Sequence, residues 1–456
     1  MRRRGMVLVA VLVVTALAAL VAAALMYRAR AEVAASTAAV RGEQAAAAAL
    51  SGLHYTMAVL NQHHAHMEIW YDNPDLFQNR EVVRHGADTW YFTIYAADPQ
   101  DEDRVRYGAV DEGGKIDVNT ASEEMLAGLE LLTPDLLDGL LDYRDGDSDA
   151  RPGGAEQEYY DRLPHPYVIP NGPLSTIEEL LLVKGFTGDL VYGEDANLNG
   201  RLDPNEDDGL DRLPRDNRDG RLDPGLRDLL TVYSTVPNRD RDGRRRIDIN
   251  QGRLPDDLAL SEATRELIGL YLAEGKRFTH PAEVVGLRFQ VTKQHKDFQD
   301  VPPGTWIEET LASGDLAALL DRTTADAKPR LTGRINVNTA PADVLATLPG
   351  LDAGLARQIV DVRSGLSADT RSTIAWLYEQ GLLEVDRFKE VAPRLTARSY
   401  QFSVRCVGFG VPCGRYRVLE AVVDLARGTP RLAYVRDVTR LGLPFALDPE
   451  RLERSL

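Results

Sequence analysis

The stretch DANLNGRLDPNE, residues 195–206, carries oxygen-bearing side chains at alternate positions of a segment that must turn tightly. Asp195, Asn197 and Asn199 alternate, Gly200 permits the turn, Arg201 offers a backbone carbonyl, and Asp203 and Glu206 close the stretch. Calcium takes six to eight oxygens at about 2.3–2.6 Å, and a twelve-residue loop with this spacing delivers them, the last acid in bidentate fashion. The spacing therefore predicts a Ca2+ site. The motif recurs in degenerate form. NRDGRLDP (217–224) repeats NLNGRLDP (197–204) with Asn217, Asp219 and Asp223 as candidate ligands, but Arg215 stands in the first place and Leu226 in the last. NRDRDGRRRID (238–248) offers Asp240, Asp242 and Asp248. A further acidic run, DGDSDARPGGAE, brings Asp145, Asp147, Asp149 and Glu156 close in sequence without the fixed template.

Loops of this kind serve either as switches or as staples. A switch needs flanking amphipathic helices that open onto an apolar, often Met-rich groove. The flanks here, GDLVYGE and DDGLDRLPRDNRDG, are loop-like, and the chain has only six Met. The segment from about 190 to 250 cannot bury enough apolar surface to order itself, so structural calcium is expected to hold it. No phosphate-cradling loop, nucleophile elbow or HExxH pair occurs, and the carboxylates form no acid–base pairing; no catalytic residue and no enzyme activity are expected. His63, His64 and His66 read as polar residues where a long helix ends. With a formal net charge of −17 the chain is not built to neutralise phosphate backbones, so no nucleic-acid partner is expected.

The elements that must position these residues follow from the pattern. Residues 6–27 form an apolar run broken only by Thr15, long enough to span a bilayer. Arg2–Arg4 before it leave the N-terminus in the cytoplasm. The Ala-rich, proline-free continuation predicts a single helix from about residue 6 to 60. Alternation predicts strands over 88–116 and 399–440, with a turn at Gly113–Gly114. Between them lie helical periods and a recurring motif: KIDVNTA (115–121), RRIDIN (245–250) and RINVNTA (334–340). Asn119–Thr120 and Asn338–Thr339 are placed as helix N-caps. Strands at both ends join most simply in one sheet, with the middle inserted. Cys406 and Cys413 stand either as free thiols or as a disulfide across a hairpin. The strand-like flanks favour the disulfide, which needs an oxidising compartment.

The basic leader ending in Gly5, followed by an apolar helix from Met6, resembles the N-terminus of type IV pilins and pseudopilins. That resemblance implies cleavage between Gly5 and Met6 by a prepilin peptidase and methylation of the new amine. The family's usual Glu at the fifth mature position is here Ala10, the departure found in the K minor pseudopilins of type II secretion. LDYRDGDSDARPGGAEQEYY (141–160) and PNGPLSTIEELLLVKG (170–185) are similar to the insert of that class, with 190–300 expanded. The resemblance implies an α+β fold: a pilin-like N-terminal helix on an antiparallel sheet, carrying a large, mostly α-helical insert of SAM-like or helix-hairpin-helix-like units. The expected divisions are a leader (1–5), a membrane and assembly helix (6–62), a first β region (63–118), the insert (119–395) and a last β region (396–456). It further implies a single-pass inner-membrane protein with its bulk in the periplasm, capping the pseudopilus tip. The implied partners are the I and J minor pseudopilins and other pseudopilins of the fibre. The LPGL turn (348–351) between two helical runs also resembles a helix-hairpin-helix, which leaves a membrane-anchored DNA-uptake protein as the alternative.

Overall fold

Sixty residues from Arg4 to His63 form one helix, α1. The computed structural model describes residues 4–98, 101–210, 214–309, 311–445 and 447; most of the expected leader lies outside them. The first half of α1 presents Met6, Leu8, Leu12, Leu20 and Leu25 at more than 60% exposure, so these apolar side chains find no packing partner among the described residues. An apolar helix of this length can cross a membrane. The second half packs on a sheet, burying Ala45, Ala49, Leu53 and Leu60 completely. The helix stops at His63, as read from the sequence; His64 then lies against the Tyr400 ring and His66 beside Glu68.

Strands β1 (Arg80–His85), β2 (Asp88–Asp98), β3 (Asp101–Arg106) and β4 (Val110–Asp111) come before the insert. Strands β5 (Gln401–Val411), β6 (Tyr416–Asp424) and β7 (Arg431–Asp437) come after it. The seven make one antiparallel sheet in the order β1-β2-β5-β6-β7, with β3 on β2 and β4 on β5. The two ends of the chain thus meet at the β2–β5 ladder, from Arg405 opposite Tyr95 to Val411 opposite Thr89. Alternation along β5 splits its faces. Phe402, Val404 and Cys406 join the core under α1, while Val407 and Phe409 join Tyr91 and Tyr95 on the other face. Arg405 shares that second face. With Arg227 and Arg436 it surrounds the buried Glu420, at 2.8, 2.7 and 3.1 Å, and ties the insert to the sheet.

The chain enters and leaves the insert at one point, where Asp111 on β4 is the register partner of Phe402 on β5. Within it the three repeated motifs each open a closed unit. Ile116–Asp117 pairs in parallel with Leu230–Thr231, Ile247–Asp248 with Thr323–Thr324, and Ile335–Asn336 with Leu395–Thr396. The repeated polar residues do one job three times. Asp117, Asp248 and Asn336 accept the backbone N–H of Asn119, Asn250 and Asn338. The Asn119 and Asn250 amides then clamp the backbones of Leu174 and Phe278 from both sides. Asn338 donates to the carbonyls of Arg371 and Ala397. In the first and third units an arginine ending a helix reaches back to the motif. Arg144 donates to the carbonyls of Val118 and Ala121, and Arg363 to those of Val337 and Ala340.

Two expectations need correction. The Asn–Thr pairs are not helix caps: the first helix is capped by Ser122, whose hydroxyl accepts from Met125 N–H, and the asparagines brace the motif across the unit. The insert is also less helical than its periods suggest. Its longest helices, Glu262–Ala273 and Ala353–Ser364, have 12 residues each, separated by 3-10 turns and two-residue strands.

No disulfide joins Cys406 and Cys413. Cys406 faces α1, where its Sγ would meet a Cβ on Gly52 at 2.5 Å, and its cross-strand partner is Leu419. Cys413 sits in the following turn and donates back to Gly410 O. Thiol labelling without reductant is expected to modify Cys413 in the folded chain and Cys406 only after unfolding, because burial also pushes the Cys406 thiol up. A single unreactive pair in denaturant would contradict this.

Candidate cation sites

The carboxylates with the fewest partners lie where the helix Pro134–Arg144 ends. Thr133 caps the start of that helix by accepting from Leu136 N–H, and Pro134 occupies its first turn, where a missing N–H costs nothing. At its end, one oxygen each from Asp145, Asp147 and Glu156 lie within 4.8 Å of one another. Asp145 Oδ1, both oxygens of Glu156 and Asn171 Oδ1 are buried and receive no hydrogen bond. Burial first, then the charges of Asp142 and Asp145, push the Glu156 carboxyl above its usual range. Asp142, fully buried beside the group, explains Gly154, because a Cβ there would stand 1.9 Å from Asp142 Oδ2. Such a set of hard, unpartnered oxygens fits a divalent cation of the calcium type. Asp149 does not join it; its N–H donates to Asp147 Oδ1 and its side chain is exposed. Asn171 was missed from the sequence. It stands at φ +41° in the turn PNG, fifteen residues beyond Glu156, and no local spacing points to it.

The 195–206 loop is folded around its own side chains. Asp195 accepts from Asn199 N–H and Gly200 N–H, both at 2.8 Å, and Gly200 makes the turn at φ +74°. Asp203 Oδ2 accepts from the amides of Asn197 and Asn199 at 2.6 and 2.8 Å. Glu206, 1% exposed, spans the loop, with Oε1 on Ala196 N–H and Oε2 on Asp203 N–H. Burial raises the carboxyls of Asp195 and Glu206, and Asp195 and Asp203 raise Glu206 further. Negative charge is thus concentrated in the loop, offset at Asp195 by the charge of Arg405. The loop is also fastened to the sheet. Leu198 O accepts from Arg405, Arg201 donates to Pro444 O, and a Cβ on Gly200 would sit 2.4 Å from that of Ala97.

The degenerate copies differ from one another. In 217–224, Asn217 donates to Asp223 Oδ2 at 2.9 Å, and Asp219 accepts from Arg221 N–H. Leu226, standing where the last ligand belongs, is buried in the core. Its place is taken by Glu194, which accepts from Asn217 N–H and Asp223 N–H much as Glu206 does from Ala196 and Asp203. Glu194 was overlooked because it belongs in sequence to the flank of the other loop. The 238–248 copy holds no converging set, which corrects the expectation for Asp240, Asp242 and Asp248. Asp240 is paired with Arg322 at 3.2 Å, Asp242 points to Arg244 at 3.5 Å, and Asp248 serves the second repeat motif. A guanidinium already supplies the positive charge there.

A long apolar helix, bare in its first half and seated on an antiparallel sheet in its second, with an insert bearing oxygen-lined acidic sites, defines a mixed α/β fold with a candidate membrane span. Residues 108–192 and 335–397 match two family models, each described as Type II secretion system (T2SS), protein K. Those two segments, about a third of the chain together, are similar to the protein K family of the type II secretion system. The segment between the two matches holds the 195–206 loop, its copies and the second closed unit. Among solved structures, the chain is similar to one from the GspK-GspI-GspJ complex of the enterotoxigenic Escherichia coli Type 2 Secretion System. The identity is 13% and the TM-score 0.33, over 90% of this chain and 99% of that one. No curated protein matches.

Proposed function

We propose that the chain is the K minor pseudopilin of a type II secretion system, a structural subunit rather than an enzyme, anchored in the inner membrane with its insert in the periplasm. The observation that carries the reading is α1: its apolar half is bare, its other half is seated on the sheet, and segments similar to protein K lie within the insert on both sides of its expanded stretch 193–334. A helix so divided can leave the bilayer and pack among like helices without unfolding the sheet it carries. Gly5 and Met6 flank the proposed cleavage point of the prepilin peptidase. Ala10 gives the helix no carboxylate for a neighbour's amine, and the insert of nearly 300 residues is too wide to stack along a fibre. Both support a place at the tip, beside the I and J minor pseudopilins. Calcium is proposed as a structural ion at Asp145, Asp147, Glu156 and Asn171 and in the 195–206 loop; Glu194 would complete a further site with Asn217, Asp219 and Asp223.

Mass spectrometry of the protein matured in its membrane tests the reading. The expected N-terminal residue is methylated Met6; an intact Met1, or a cut near residue 31, overturns it.

A further inference from the structure

A cavity of about 300 Å³ opens between the second and third closed units of the insert. Arg246, Arg334, Arg398 and His280 line it, with Lys328 and Arg330 at its edge; Asp326 is the one carboxylate among its lining residues. Five formal positive charges therefore face one negative in a chain whose net charge is −17.

The placement comes from the repeat. Arg246 and Arg334 each stand immediately before the isoleucine that opens a unit, Ile247 and Ile335. The equivalent residue of the first unit, Lys115, is ion-paired with Glu112 at 3.1 Å. Among the described residues neither Arg246 nor Arg334 has such an ion pair, and the charges of Asp321 and Asp326 only partly offset their burial. Arg246 donates to the carbonyl of Asp321, and Arg398 pairs with the Asp321 carboxylate. The Arg334 guanidinium has neither a hydrogen bond nor an ion pair among the described residues, and burial lowers it. Burial and the charges of Arg398 and Arg334 push Arg246 down to about 10; burial, Arg334 and Arg246 hold His280 down to about 3. His280 Nδ1 accepts from Ala282 N–H, so the proton of the neutral ring sits on Nε2 as a donor. Cations crowded in a partly desolvated space repel one another unless an anion joins them.

We propose that this cavity binds a small multivalent oxyanion of the phosphate class, gripped by Arg334 and Arg246 and closed by Arg398. Guanidinium forks match tetrahedral oxyanions through paired hydrogen bonds, which a lysine cannot reproduce. The ion would join the second unit to the third at a seam where cationic side chains outnumber carboxylates.

Calorimetric titration of inorganic phosphate into the full chain in uncharged detergent, at constant ionic strength and submillimolar calcium, tests this. The expected result is saturable binding, weakened about tenfold or more in Arg334→Gln and in Arg246→Gln. Phosphate should also raise the melting temperature of the unaltered chain where chloride of equal ionic strength does not. That second readout holds if a variant fails to fold. Absence of phosphate binding, or equal affinity in the folded Arg334→Gln variant, overturns the proposal. A parallel titration with dihexanoyl phosphatidic acid assigns the source. Tighter binding than inorganic phosphate identifies a lipid headgroup, and exclusion identifies the free ion; either result supports the site.

Discussion

Chelation with EGTA is expected to lower the melting temperature of the full chain by about 5 °C or more near neutral pH, and added calcium to restore it. A ligand at a hundred times its dissociation constant stabilises the folded state by about 2.7 kcal/mol, and three oxygen-lined sites are proposed. The buried, unpartnered oxygens of Asp145, Glu156 and Asn171 are the reason to expect a large effect, because without a cation they stay desolvated and uncompensated. Magnesium should restore little, since it requires tight octahedral geometry and gives up its water reluctantly. The pH dependence gives an independent check. Burial raises the carboxyls of Glu156, Asp195 and Glu206 in the folded chain. A raised carboxyl favours folding below its unfolded pKa of about 4, and that contribution is lost as pH climbs through the folded value. At neutral pH these three groups therefore weaken the chelated protein. The cation needs them ionised, so the gap between calcium-loaded and chelated melting temperatures is widest near pH 7 and narrows toward about pH 5. A melting temperature indifferent to EGTA, or a gap independent of pH, would defeat the calcium proposal.

Replacing Gly408 by valine is expected to detach α1 from the sheet, at a cost of about 3 kcal/mol or more. A Cβ on Gly408 would stand 2.2 Å from Ala45 O and 2.3 Å from Ala49 N, both on the helix backbone, which cannot step aside. Gly52 makes the reciprocal approach from the helix, toward Cys406 and Phe92. The helix rests on the strands at glycine and alanine positions, so any added side chain there acts as a wedge. Hydrogen exchange should show faster opening of α1 amides between 45 and 60, with the closed units of the insert little changed. Gly252→Ala, where a Cβ meets nothing within 4 Å, is the control and should cost less than about 1 kcal/mol. Equal exchange in the two variants would show that the helix is not seated by this contact.

Much of the fold was legible because its signals are long or repeated. The apolar run of α1, the alternation of β2, β5 and β6, and the triplicate Ile-Asp/Asn motif each declare themselves over several residues. The partner of each motif did not. Leu230–Thr231, Thr323–Thr324 and Leu395–Thr396 are two residues long, too short for any period, and their parallel pairing spans 60 to 114 positions. The same limit governs the sites. A loop that supplies its own ligands can be read in a line, as 195–206 was. Asn171 and Glu194 enter their clusters from outside the local pattern, and Arg322 fills the 238–248 turn from a different helix. Cys406 and Cys413 lie near each other in sequence, yet the pleat aims Cys406 at α1 and leaves Cys413 in the turn.

The chain enters and leaves each unit of the insert through two neighbouring strands, and the insert as a whole does the same at Asp111 and Phe402. Neighbouring strands lie about 5 Å apart, so each doorway is as wide as a single hydrogen-bonded step. Residues added behind such a doorway leave the strands that form it in place, and doubling the length enclosed costs only about 0.6 kcal/mol of closure entropy. The architecture therefore permits growth by accretion. New loops and even a complete additional unit can accumulate between the segments 108–192 and 335–397 while the helix, the sheet and the docking of one on the other stay as they were.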